Sequence, residues 1–133
     1  MGNKILVIPC SGIGKAFGSI SREAAYITVE ELRSGVADTM CLSLLVMGDE
    51  EARQRVQHGT CITVDGCPSS CALKNVELAG GTVAKAFRVV DAYKRHPELK
   101  PKEITELDEA GRQLAQFVAE EVAEEVDKIK EVR

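Results

Sequence analysis

Short β-branched runs alternate with amphipathic stretches along this chain, and no other sequence feature constrains its fold as tightly. Ile5-Leu6-Val7-Ile8 begins the pattern and ends in the turn-rich Pro9-Cys10-Ser11-Gly12-Ile13-Gly14. From Ser19 to Leu32 the apolar residues Ile20, Ala24, Ile27, Val29 and Leu32 recur at near-helical spacing, with Ser21, Arg22, Glu23, Glu30 and Glu31 on the wet side. Ser34-Gly35 stops this helix, and Val36 to Met40 reads as a short second strand ending at Cys41. The apolar stretch Cys41–Met47 leads to Asp49-Glu50-Glu51, the acidic first turn of a helix that runs to Gln57 and is ended by Gly59.

Thr60-Cys61-Ile62-Thr63-Val64 is the third predicted strand. It ends in the turn Asp65-Gly66-Cys67-Pro68, after which Ser69 or Ser70 is placed to cap a helix from Cys71 to Leu78. Gly80-Gly81 breaks that helix, Ala86 to Val90 is the fourth predicted strand, and His96–Pro101 is a polar, proline-punctuated connection. From Asp108 to Val132, Leu114, Phe117, Val118, Val122, Val126 and Ile129 form one stripe of a long amphipathic helix. That stripe could pack on the sheet, on a second copy of the chain, or on another protein.

Such alternation predicts a single α/β/α three-layer domain over residues 1–133. Its expected core is 4–91, with a mainly parallel sheet of four strands, and a helical extension follows over 103–133. With 133 residues and 44% apolar content the chain can bury one core. Its 21 acidic and 17 basic residues give a net charge of −4, which leaves no strongly basic face for nucleic acid. The longest uncharged stretches, Ile5–Gly14 and Thr39–Gly48, fall short of the roughly 18 apolar residues a membrane span needs. The expectation is a soluble protein with no membrane or nucleic-acid partner.

Five cysteines carry the functional signal. An odd number, with no signal-peptide pattern ahead of them, does not fit a secreted disulfide scaffold and points to the reducing cytoplasm, where clustered thiols serve metal binding or redox chemistry. Cys10 follows the first predicted strand, Cys41 the second, and Cys67 the third by one turn. In a parallel sheet all carboxyl ends lie on one edge, where such folds build their sites. Cys71 joins the set because positions i and i+4 share a helix face. Four thiolates match the tetrahedral sulfur coordination of zinc, and sulfur ligands also suit an iron–sulfur cluster, although the CxxxCxxC pattern is broken by Lys74. A thiol-dependent redox or sulfur-transfer enzyme is the other reading, with Cys67 as nucleophile and Cys71 or Cys10 resolving it.

Asp65-Gly66-Cys67-Pro68-x-x-Cys71-Ala72, preceded by an Ile/Val strand, resembles the central motif of the DGC-domain proteins. Pro9-Cys10-Ser11-Gly12, Ser21-Arg22-Glu23-Ala24-Ala25 and Cys41-Leu42 agree with it, so the resemblance runs from Lys4 to Asp91. It implies a zinc-binding protein whose four chelating cysteines fall on Cys10, Cys41, Cys67 and Cys71, and it supplies no substrate.

The remaining features read as structural. Cys61 lies inside a strand and is expected to be a small buried hydrophobe. Gly12-Ile13-Gly14-Lys15-Ala16-Phe17-Gly18 fails both the Walker and the dinucleotide patterns, since Pro9, Ala16 and Phe17 stand at required positions. A phosphatase-like loop lacks its arginine, with Ala16 and Leu73 six places after Cys10 and Cys67. Asp65 is assigned to hydrogen-bonding backbone amides of the turn, and His58 and His96 to the solvated surface.

Overall fold

The computed structural model describes residues 5–10, 16–66, 70–100 and 108–132. Strands β1 (Ile5–Pro9), β2 (Ala37–Thr39), β3 (Cys61–Asp65) and β4 (Val83–Arg88) form one sheet in the order β2-β1-β3-β4. Every pairing is parallel, with Val7 beside Thr39 and Ile62, and Asp65 beside Arg88. Side chains alternate across a strand, so Ile5 and Val7 enter one core while Leu6 and Ile8 enter another. All four are buried, which requires helices on both faces.

One face is covered by α1 (Ala16–Tyr26), α5 (Val89–Arg95) and α6 (Glu109–Val132). Leu114, Ala115, Val118, Ala119, Val122 and Val126 of α6 are buried there against Ile20, Ala24 and Ala25 of α1 and the strand residues Ile62 and Val64. Most of the apolar stripe of α6 is thereby buried within the chain, while Phe117 stays exposed. Each such Leu or Val contributes about 1.5–3 kcal/mol relative to exposure. The other face carries α2 (Leu42–Val46), α3 (Glu50–His58) and α4 (Cys71–Leu78), with Leu42, Ala52, Val56, Ala72 and Val76 as its buried contacts. Three-layer α/β/α architecture with a long C-terminal helix is therefore what the chain adopts, and no described helix is long and apolar enough to cross a membrane.

Several local expectations are corrected. The fourth strand spans Val83–Arg88 rather than Ala86–Val90, and Val89 and Val90 instead begin α5. Burial of Val89 and Ala92 against the α1/α6 core outweighs the β preference of the two valines, while Asp91 near the start and Lys94 and Arg95 near the end suit the helix dipole. The helix expected over Ser19–Leu32 begins at Ala16 and turns π-helical over Ile27–Leu32, where Thr28 sends its hydroxyl to Ala24 O at 2.9 Å. The end of that segment is clasped to α6 by a bidentate pair, Arg33 Nε and Nη2 donating to the Asp127 carboxylate at 2.8 and 2.6 Å. His96 is half-buried rather than solvated: its ring stacks on Phe117 with centroids 4.1 Å apart. His58 is exposed, as expected.

Candidate metal centre

Parallel pairing carries the residues after β1, β2 and β3 to the same edge of the sheet. Cys10 follows β1 directly and Cys41 stands at the residue before α2, just beyond β2. Cys71 is the first residue of α4, the helix after β3. Cys10 itself, Met40 and Leu42 on either side of Cys41, and Ala72 next to Cys71 all belong to one buried cluster. The backbone thus gathers three of the four expected ligands at one end of the molecule. Among the described residues no three His, Cys, Asp or Glu side chains are drawn together closely enough to hold a metal ion. Cys67 and residues 11–15 lie outside the described residues.

The three thiols differ in environment. Cys10 is buried, and its sulfur accepts the backbone N–H of Gly66 at 3.2 Å, a bond that joins the end of β1 to the turn after β3. The Ser21 hydroxyl of α1 stands 3.2 Å from the same sulfur. Cys41 is exposed, with its sulfur 2.8 Å from the Ser43 hydroxyl. The Ser43 side chain holds the Cys41 pKa below the ordinary thiol value, helped by the Ser43 and Leu44 amides and only partly opposed by burial. Cys71 is exposed. Cys61 conforms to the buried-hydrophobe expectation: it is fully buried in β3, its sulfur 3.8 Å from Val56 O, and burial pushes its pKa up to about 11.

Two residues of the Asp-Gly-Cys tripeptide have legible jobs. Asp65 accepts the N–H of Ala72 at 2.7 Å and of Leu73 at 3.2 Å, which caps α4 from the end of β3. Of the two serines expected to cap this helix, Ser69 lies outside the described residues and Ser70 makes no side-chain cap bond, turning left-handed at φ 55°; the upstream carboxylate caps the helix. Burial raises the Asp65 pKa, while those two amides and Lys74 pull the other way. Gly66 is required by close approach. A Cβ there would stand 2.7 Å from Gly18 N and from Phe17 C, both backbone atoms of the first turn of α1.

Sequence reasoning identified Asp65 as a turn acceptor and missed Ser21, Ser43 and the Gly66 amide as partners of the thiols. The Ser43 contact was within reach of sequence, since a hydroxyl two residues after the cysteine that precedes α2 is local. The Ser21 and Gly66 contacts depend on how α1 and β3 pack around β1, which no spacing encodes. No curated protein and no solved structure matches the chain. The DGC domain, however, matches residues 6–129, a span that takes in all five cysteines and most of α6, and the chain belongs to the DGC-domain family.

Proposed function

We propose that this protein binds one zinc ion through the thiolates of Cys10, Cys41, Cys67 and Cys71 at the carboxyl edge of the sheet, in a structural, sensing or carrier role. The Gly66 N–H bond to the Cys10 sulfur carries the reading, because it places a buried thiol against the backbone immediately preceding Cys67. An amide aimed at a sulfur is the kind of orienting contact that groups behind a metal ligand make. The donor chemistry suits zinc: Cys41 gives up its proton more readily than an ordinary thiol, and Cys71 begins an eight-residue helix whose positive end faces it. Both Asp65 oxygens are committed to α4 amides, so this carboxylate stands as a cap rather than a free base beside Cys67. A zinc held by four thiolates leaves no open position for water, which separates this role from hydrolytic zinc catalysis. The cytoplasm is the compartment in which such thiols stay reduced.

Elemental analysis of protein purified without chelator, together with its absorption spectrum and Cys→Ser variants at positions 10, 41, 67 and 71, tests the proposal. About one zinc per chain, lost in each variant and without visible absorbance, supports it. Iron with visible absorbance would replace zinc by an iron–sulfur cluster. Absence of metal, with Cys67 reacting fast and alone, would overturn it in favour of a thiol enzyme centred on Cys67.

A further inference from the structure

Ser21 is fully buried on α1, opposite the strand end that carries Cys10, and its single hydroxyl proton decides what the sulfur can be. That hydroxyl donates to Gly18 O at 2.7 Å, an acceptor that has no proton to give back. Its contact with Cys10 Sγ at 3.2 Å must then run the other way, with the thiol S–H donating to Ser21 Oγ. From the opposite side the sulfur accepts the Gly66 N–H. In this arrangement Cys10 is fixed by one bond given and one received.

We infer that Ser21 is a positioning residue for Cys10 whose hydroxyl swings from Gly18 O to the sulfur when the sulfur becomes a metal ligand; the inference rests on the metal reading above. Were Cys10 to ligate a metal, its sulfur would carry no proton, the proton having gone to water, and could only accept hydrogen bonds. Rotation about the Ser21 Cβ–Oγ bond then points the hydroxyl hydrogen at it, giving the thiolate a second donor beside Gly66 N–H. The cost is small, because Gly18 O lies in the first turn of α1 and retains its helical i+4 amide. Two donors hold the Cys10 sulfur on the line between β1 and the turn after β3, the orienting role that groups behind metal ligands perform. Ser21 would thus set both the aim of the buried ligand and the electron density on its sulfur.

Zinc affinity measured by competition with a chromophoric chelator, and the sulfur-to-cobalt charge-transfer band of the Co(II)-loaded chain, test this on Ser21→Ala and Cys10→Ser. For Ser21→Ala the expected result is a loss of about 10–100-fold in zinc affinity, the usual range for removing a hydrogen-bond partner of a ligand. The band should also move to lower energy because the thiolate has lost a donor, with the circular dichroism of the apo chain unchanged. Ser21→Thr, which keeps the hydroxyl, should restore both. Ser21→Ala binding zinc within twofold of the unaltered chain, with an unmoved band, would overturn the inference. If Ser21→Ala does not fold, Ser21→Thr against Ser21→Val makes the same comparison at equal side-chain volume. Cys10→Ser separates the two ideas: zinc bound as tightly without the Cys10 thiol defeats the metal reading itself, whereas loss in Cys10→Ser with none in Ser21→Ala defeats only the role of Ser21.

Discussion

The Asp65 carboxylate accepts the Ala72 amide at 2.7 Å and so ties the last residue of β3 to the first turn of α4. A second bond to Leu73 at 3.2 Å uses its other oxygen. Asp65→Ala leaves both amides without an acceptor and should cost about 0.5–2 kcal/mol, the range for a lost helix cap. The pH dependence has a definite sign. Burial lifts the folded-state pKa of Asp65 above 3.8, so its contribution is present in full below the unfolded value and is lost as pH rises through the folded value. Stability of the unaltered chain relative to Asp65→Asn should therefore fall as pH climbs through that window and level off beyond it. Urea unfolding of both proteins from acid to neutral pH checks this; a difference that grows toward neutrality would contradict it.

The described thiols should separate by reactivity in the metal-free protein. Cys41 is exposed and ionises below the ordinary thiol value, chiefly through the Ser43 hydroxyl, so it should alkylate first as pH is raised. Ser43→Ala should move the pH midpoint of that reaction upward. Cys61, fully buried and pushed up to about 11, should stay unlabelled until the chain unfolds. Mass mapping of iodoacetamide adducts over a pH series reads all of this, and early labelling of Cys61 would refute the burial assigned to it.

Gly66→Ala is expected to be among the most damaging single-methyl changes at the site. Its new Cβ would meet Gly18 N and Phe17 C at 2.7 Å and Phe17 O at 2.8 Å, all of them backbone atoms that no side-chain rotation can move aside. The turn after β3 must retreat from α1, at about 1–3 kcal/mol by the usual cost of overpacking, and the Gly66 bond to Cys10 goes with it. Thermal unfolding and zinc content of the variant should both drop, whereas retention of full zinc content would separate the motif glycine from the metal.

The alternation of β-branched runs with amphipathic stretches was enough to read the parallel sheet and both helical layers, because continuous apolar runs buried on both faces and period-3.6 helical stripes are written directly in the residue order. Val89 and Val90 show where that ends: local β preference pointed to strand, while the α1/α6 core needed Val89 in a helix. At the site, placing Cys10, Cys41 and Cys71 at one edge required only topology. Ser21 and Gly66, which hold the Cys10 thiol, were hidden because they act across elements far apart in sequence, whereas Ser43 lies only two residues from Cys41. Ser70 illustrates the same limit. A serine before a helix is the expected cap, yet a left-handed backbone there hands the task to Asp65.

Thr63 sits between Cys61 and Asp65 in β3, fully buried, and its hydroxyl has no hydrogen-bond partner among the described residues. Leaving such a group dry costs about 1–3 kcal/mol, whereas replacing it by an apolar group of the same shape removes that cost. Valine keeps the branched outline and suits a central strand at least as well. Thr63→Val should therefore stabilise the fold, on the order of 1 kcal/mol by the desolvation it spares. Zinc affinity should stay the same, because Thr63 pairs with Ile8 and Ala86 within the sheet, two residues short of the end of β3. Chemical denaturation of the metal-free variant, followed by zinc competition on the same sample, makes the measurement. A destabilised Thr63→Val would mean that the hydroxyl has a partner in solution, and weakened zinc binding would mean that the interior of β3 is coupled to the cysteine edge it leads to.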